Sequence, residues 1–94
     1  MRYVNELAQN TPNPFNPVTR IVFSIKEAGP VELRVFDVSG RLVRVLVDAS
    51  LESRQYEAVW DGTDQRGKPV ASGVYFYQLD APGWSETKKM TLAR

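Results

Sequence analysis

Carboxylates gather at a turn in one place, Asp61-Gly62-Thr63-Asp64-Gln65-Arg66-Gly67, and two chemistries could use them. A calcium loop wants roughly six to eight oxygens, usually from several carboxylates at alternating positions. This run offers Asp61 and Asp64 alone, with Arg66 among them to neutralise the charge, so it reads as a turn built on aspartates and not as a metal site. A paired-carboxylate hydrolase would set Asp61 or Asp64 against Glu57. Nothing in the pattern puts a raised-pKa acid opposite a base, and a chain of 94 residues has little room for a cleft. Ser39 and Ser72 each precede a glycine, yet the chain has no histidine and no lysine at a motif spacing to activate them. They read as turn residues. The missing histidine also removes the commonest metal ligand, and the missing cysteine excludes disulfides and thiolate sites. The expectation is a protein without catalytic residues, cofactor or metal.

Binding chemistry has more candidates. Tyr75, Phe76, Tyr77 and Trp84 would make a stacking platform for sugars or single-stranded nucleic acid if they faced one way. In a strand, Tyr75 and Tyr77 share a face and Phe76 takes the other, so at least one set belongs to a core. Cross-strand packing is therefore the expected role, with Trp84 at least partly exposed. Lys88 and Lys89 stand together in the last run, as recognition residues or as charges that protect a sheet edge from unwanted pairing.

The elements that would hold these residues are all strands. The stretch Tyr56 to Tyr77 organises the rest: Tyr56, Ala58 and Trp60 alternate with Glu57 and Val59, and Val74 to Leu79 is almost continuously apolar. Between them Gly62, Gly67, Pro69 and Gly73 mark turns. The two arms either pair or lie across a sandwich from each other, with Trp60 at the centre of the core. Upstream, Ile21, Phe23 and Ile25 alternate through Arg20–Lys26, and Val31, Leu33 and Val35 through the strand ending at Phe36. Asp37-Val38-Ser39-Gly40 forms a tight turn, its aspartate accepting from a backbone N–H two residues on and Gly40 left-handed, so Arg41–Val47 returns as a hairpin. Asp48–Ser53 is polar enough to read as a loop. In Glu86–Arg94, Thr87, Lys89, Thr91 and Ala93 share one face and Lys88, Met90 and Leu92 the other. Six strands and a further one near the N-terminal arm make an all-β, antiparallel, immunoglobulin-like sandwich of about seven strands, with no helix.

Residues 1–17 are expected to be a linker and proline-rich lead-in, with Leu7 and Phe15 tucked against the core; residues 18–94 are the folded domain. Prolines at 12, 14 and 17, alternating with asparagines, exclude a helix there. The net charge of +1 gives no long-range pull toward nucleic acid, and no apolar run is long enough to insert in a membrane.

Taken in order, LAQNTPNPFNP, TRIVFSI, VELRVFDVSGRLVRVLV, WDGTDQRGKPVASGVYFYQL and KKMTLAR resemble the C-terminal sorting domain of type IX secretion cargo, in its immunoglobulin-like form related to the flagellar hook-capping protein's domain. The likeness covers Leu7 to Arg94. The family's proline-asparagine segment falls on Pro12, Asn13, Pro14, Phe15, Asn16 and Pro17, its aspartate-glycine-arginine turn on Asp37, Gly40 and Arg41, its tryptophan turn on Trp60, Asp61 and Gly62, and its glycine-tyrosine strand on Gly73 and Tyr75. The final lysine strand, Lys88, Lys89, Met90 and Leu92, would meet the translocation machinery. The resemblance implies a non-catalytic domain, preceded by a covalently attached cargo, that directs export through the periplasm to the cell surface and engages the outer-membrane secretion and attachment machinery. An accessory carbohydrate-binding module, with Trp84 and Tyr77 stacking on sugar, or a scaffold immunoglobulin-like module of an extracellular enzyme, is the alternative.

Overall fold

A computed structural model describes residues 2–94 and shows two antiparallel sheets packed face to face, with no helix among the described residues. The strands are β1 (Glu6–Leu7), β2 (Thr19–Ser24), β3 (Gly29–Phe36), β4 (Leu42–Leu51), β5 (Gln55–Trp60), β6 (Gly73–Ala81) and β7 (Trp84–Leu92). One sheet has the order β1-β2-β5 and the other β4-β3-β6-β7. This is the immunoglobulin-like sandwich expected from the alternation.

Period-two patterning builds the core directly. Ile21 and Phe23 of β2, Val31, Leu33 and Val35 of β3, Ala58 and Trp60 of β5, Tyr75, Tyr77 and Leu79 of β6, and Met90 and Leu92 of β7 all point between the sheets and are buried. The two arms of the organising stretch lie across the sandwich from each other: β5 pairs β2 in one sheet, and β6 pairs β3 and β7 in the other. Trp60 bridges them, its ring 5.2 Å from Tyr75 edge-on and 5.6 Å from Phe15.

Two expectations change. Asp48 to Ser50 is strand, because Asp48, Ala49 and Ser50 pair with Glu32, Val31 and Pro30. Its polarity is that of an exposed sheet edge. Register shifts between Leu33 and Arg34 and between Val35 and Phe36 leave extra residues on β4, and such bulges twist an edge away from unwanted partners. The lead-in, second, is built into the body. Glu6 and Leu7 pair with Ser24 and Phe23, Thr11 bridges Arg20, and the intervening tip carries buried Phe15 into the end of the sandwich. Leu7 and Phe15 are buried as expected, and the strand pairing around them makes the segment part of the body instead of a linker.

Where the tip turns, a buried polar cluster replaces ladder bonds. Asn10 donates from its backbone N–H to the Tyr77 hydroxyl at 2.9 Å and from Nδ2 to Thr19 Oγ1 at 3.0 Å. Tyr77 donates to the Ala8 carbonyl at 2.7 Å, and Thr19 to the Pro12 carbonyl at 2.9 Å. Buried polar groups without such partners would each cost ~1–3 kcal/mol. Burial pushes the Tyr77 hydroxyl up to about 12, against the backbone N–H of Asn10, which pulls it down.

Candidate functional site

β7 is an edge strand, paired with β6 along one side from Trp84 to Leu92. Its other side is divided. Toward the C-terminal end the lead-in fills it: Gln9 Nε2 donates to the Lys89 carbonyl at 2.7 Å, and the Thr91 N–H donates to Asn13 Oδ1 at 3.0 Å. The Phe15 N–H donates to the Thr91 carbonyl at 3.0 Å, and the Ala93 N–H to the Phe15 carbonyl at 2.9 Å. From Ser85 to Thr87, no backbone group on that side has a partner among the described residues. An open stretch of this kind can accept an added strand.

The side chains of the final strand divide in the same way. Met90 and Leu92 are buried in the core, so they hold β7 in place and offer a partner nothing while the domain is folded. Lys88 shares their face, is partly buried, and lies 3.6 Å from Glu86 in an ion pair. Lys89 faces outward, exposed, and has no ion pair among the described residues. Of the residues expected to meet a partner, Lys89 is thus the exposed one. Sequence reasoning passed over Ser85 and Thr87, the exposed residues of the open stretch; the shared face of alternate residues in β7 was the signal that could have found them.

The motif residues converge on one end of the sandwich. Phe15, Trp60 and Tyr75 form a tilted aromatic row, and the turn after Trp60 closes against the tail of the chain. Trp60 Nε1 donates to the Thr63 carbonyl at 2.9 Å. Gly62 is buried with φ +75°, and an added Cβ would meet Arg94 Nη2 at 2.8 Å, the Pro17 carbonyl oxygen at 3.2 Å and Leu92 at 3.5 Å. Only glycine accepts that conformation and that crowding together. Arg94 in turn donates to the Gly62 carbonyl at 2.6 Å and the Val70 carbonyl at 2.9 Å. Lead-in, tryptophan turn and final strand therefore meet at a single knot, with Gly73 opening β6 beside Leu92. Pro12, Pro14 and Asn16 lie exposed on its rim.

The aspartate turns are self-contained. Asp37 Oδ1 accepts from the N–H groups of Ser39 at 2.9 Å and Arg41 at 3.0 Å and from the Ser39 hydroxyl, while Oδ2 faces Arg41 Nε at 3.4 Å. Gly40 follows at φ +86°. The hydroxyl bond, first, and the Arg41 N–H hold the Asp37 carboxyl below its ordinary value. Asp61 accepts from the hydroxyl and N–H of Thr63, and Asp64 Oδ1 from the N–H groups of Arg66 at 2.9 Å and Lys68 at 3.0 Å. Both are held low, Asp61 chiefly by the Thr63 hydroxyl and Asp64 chiefly by the Lys68 N–H. The Oδ1 of each is committed to these local turn bonds. Arg44 crosses from β4 to clasp the same loop, through Thr63 Oγ1 at 2.6 Å and the Asp64 carbonyl at 2.9 Å. Tyr75 and Tyr77 are core residues, as expected, so a sugar platform using Tyr77 has no accessible face; Trp84 lies half-buried against the core at the start of β7.

Known proteins share this architecture. A segment of dimeric latent PorU from Porphyromonas gingivalis superposes with a TM-score of 0.73 at 22% identity, covering 92% of this chain and 9% of PorU. PorZ of the same organism, a surface component of its type IX secretion system, gives a TM-score of 0.57 at 20% identity, covering 92% of this chain and 11% of PorZ. FlgD from Xanthomonas campestris, which caps the hook during flagellar assembly, gives 0.62 at 22% identity, covering 96% of this chain and 66% of FlgD. The chain thus spans a small part of PorU and PorZ and under two thirds of FlgD. No curated protein sequence matches it. The family model of the FlgD Ig-like domain matches residues 16–83, well over half the chain, taking in β2 to β6 and ending just before β7, and the protein belongs to that family.

Proposed function

We propose that this domain is a non-catalytic sorting and surface-attachment module that directs an upstream cargo protein through a type IX secretion system. The observation that carries this reading is the final strand: β7 sits at a sheet edge, the outer side of its Ser85–Thr87 stretch has no backbone partner among the described residues, and Lys89 is exposed on it. Backbone pairing along such an edge supplies affinity, and the lysine supplies selectivity. The fold shared with PorU and PorZ supports the assignment, and the motif series from Pro12 to Leu92 agrees with it. No reaction is assigned to the domain. Asp37, Asp61 and Asp64 are spent on turns, and Asp80 is bound to Arg34.

The test is a fusion of the whole domain to a periplasmic reporter in a bacterium with a working type IX system and in a strain lacking the translocon. Surface display in the first alone supports the proposal. A folded fusion that stays in the periplasm of both strains removes it. The likeness to FlgD favours one other reading, an assembly scaffold. Under that reading the fusion would stay in the periplasm, and the domain would act only within its parent protein.

A further inference from the structure

The open part of the β7 edge is complementary to itself. Backbone groups along a strand face alternate sides, and those of Lys89, Thr91 and Ala93 turn away from β6, where they take the lead-in's bonds. The N–H and C=O of Ser85 and Thr87 and the N–H of Lys89 belong to the same side, with no partner among the described residues. Both ends of this window are fixed. The turn at Pro82–Gly83 returns the chain to β6 before Trp84, and Gln9 covers the carbonyl of Lys89. Thr87 is its midpoint.

A second copy laid antiparallel across that midpoint sets Thr87 against Thr87, Ser85 against Lys89, and Glu86 against Lys88, each unlike pair occurring twice by symmetry. Threonine pairs and opposite charges are the cross-strand neighbours that stabilise a sheet. Glu86 and Lys88 already lie 3.6 Å apart within one chain, so the joint would close a square of alternating charge. Neighbouring registers lack this property. Sliding one copy to the next hydrogen-bonded register brings Lys88 against Lys88 in one direction and Glu86 against Glu86 in the other, and like charges directly opposite are destabilising. Lys89, on the outer face, meets Ser85 and no other cation in the centred register.

We propose that a second copy of this chain docks on the Ser85–Lys89 edge, forming a two-fold antiparallel joint centred on Thr87 that makes one continuous sheet of the two four-stranded sheets. The window is short and its contact falls below the roughly 1,000 Å² typical of stable complexes, so the association is weak and concentration-dependent. The inference does not rest on the export reading. It adds that a paired edge is closed to any other strand.

The experiment is sedimentation equilibrium on the whole chain at low ionic strength, up to millimolar concentration. Wild-type protein is expected to dimerise reversibly. Glu86→Lys and Lys88→Glu, each alone, place like charges across the joint and should weaken association about tenfold or more. An equimolar mixture of the two variants restores every opposite-charge pair and should form a heterodimer about as strong as the wild-type dimer. Thr87→Pro removes the central outward N–H, which an edge strand tolerates, and should stay folded by circular dichroism yet monomeric. The chain has no cysteine of its own, so Thr87→Cys should oxidise to a disulfide-linked dimer and Thr91→Cys should not. A wild-type chain monomeric throughout, a dimer indifferent to both charge reversals, or a mixture no stronger than its components would overturn the proposal. Each outcome is read on the isolated chain, so failure of export would leave it untouched.

Discussion

Arg94 donates from Nη2 to the carbonyl of Gly62 at 2.6 Å, and a side-chain carbon added at Gly62 would lie 2.8 Å from that same nitrogen. The end of the chain is thereby tied to the turn that follows the central tryptophan. Gly62→Ala must shift the guanidinium, crowd the Pro17 carbonyl oxygen at 3.2 Å, and hold a φ of +75° that alanine disfavours. We expect a loss of about 1–3 kcal/mol in urea unfolding followed by tryptophan fluorescence. Arg94→Ala alone should cost roughly 1 kcal/mol, the net worth of exposed and part-buried hydrogen bonds. Residues in contact do not act independently, so the double variant should lose less than the sum. Strict additivity would mean that the two do not share a contact in solution.

Phe15 is the plug of the lead-in, buried and packed on Trp60. Phe15→Ala should cost about 3–5 kcal/mol, a large share of the roughly 5–15 kcal/mol that holds a domain of this kind. Asn16→Ala, one residue later and exposed, should change stability by about 0.5 kcal/mol or less. Thermal unfolding of the pair separates a lead-in that is part of the body from one that is only attached to it. Equal melting temperatures would refute the packing role.

These two sites also mark what could be read from the sequence. The Asp37 bond to the Ser39 N–H and the left-handed Gly40 were legible, because an aspartate two residues before a backbone donor with a glycine next in line specifies a local geometry; the added bonds from the Ser39 hydroxyl and Arg41 were not. Strand faces were legible for the same reason: alternation placed Met90 and Leu92 on the side of Lys88, and the core takes them there. Long-range facts were not. The bonds from Gln9 to Lys89 and from Thr91 to Asn13 span nearly the whole chain, and prolines say only that a segment is extended, not what it lies against. Asp48–Ser50 failed differently, since an exposed edge strand and a loop carry the same polar composition.

Stability should fall at both extremes of pH. Asp37, Asp61, Asp64 and Asp80 all have folded carboxyls below their ordinary values, and hydrogen bonds lower each of them; at Asp80, burial, the largest influence, opposes the bonds from Ser85, Arg34 and Gln78. A depressed carboxyl stabilises the fold above its unfolded pKa and ceases to do so as pH falls through the folded value. The acid loss therefore begins as pH falls into the ordinary carboxylate range, where the unfolded chain takes up protons first, and is complete only below the lowered folded values. Tyr77 has the opposite sign: raised by burial from 10.0 to about 12, it keeps its proton in the folded chain while the unfolded chain gives it up, so stability declines as pH rises across that interval. Tyr77→Phe should flatten this alkaline decline while costing about 1–3 kcal/mol at neutral pH, because the Asn10 N–H and Ala8 carbonyl lose their buried partner. A decline between pH 10 and 12 of equal steepness in the variant would assign it to other groups.

Truncation of the last strand is the obvious way to probe export, and the structure predicts that it answers a different question. Removing Lys88–Arg94 takes Met90 and Leu92 out of the core, at roughly 2–5 kcal/mol for each large apolar side chain, and strips β6 and Phe15 of their backbone partners. We expect no cooperative unfolding transition in the truncated chain. Lys89→Glu leaves every one of those contacts in place, since the side chain is exposed and unpaired among the described residues, and its melting temperature should be close to that of the parent. Surface display of a fused reporter then separates fold from recognition. Display reduced by Lys89→Glu at unchanged stability locates selectivity on the β7 edge. Display lost only on truncation, with Lys89→Glu fully active, shows that the machinery requires a folded sandwich and does not read this lysine.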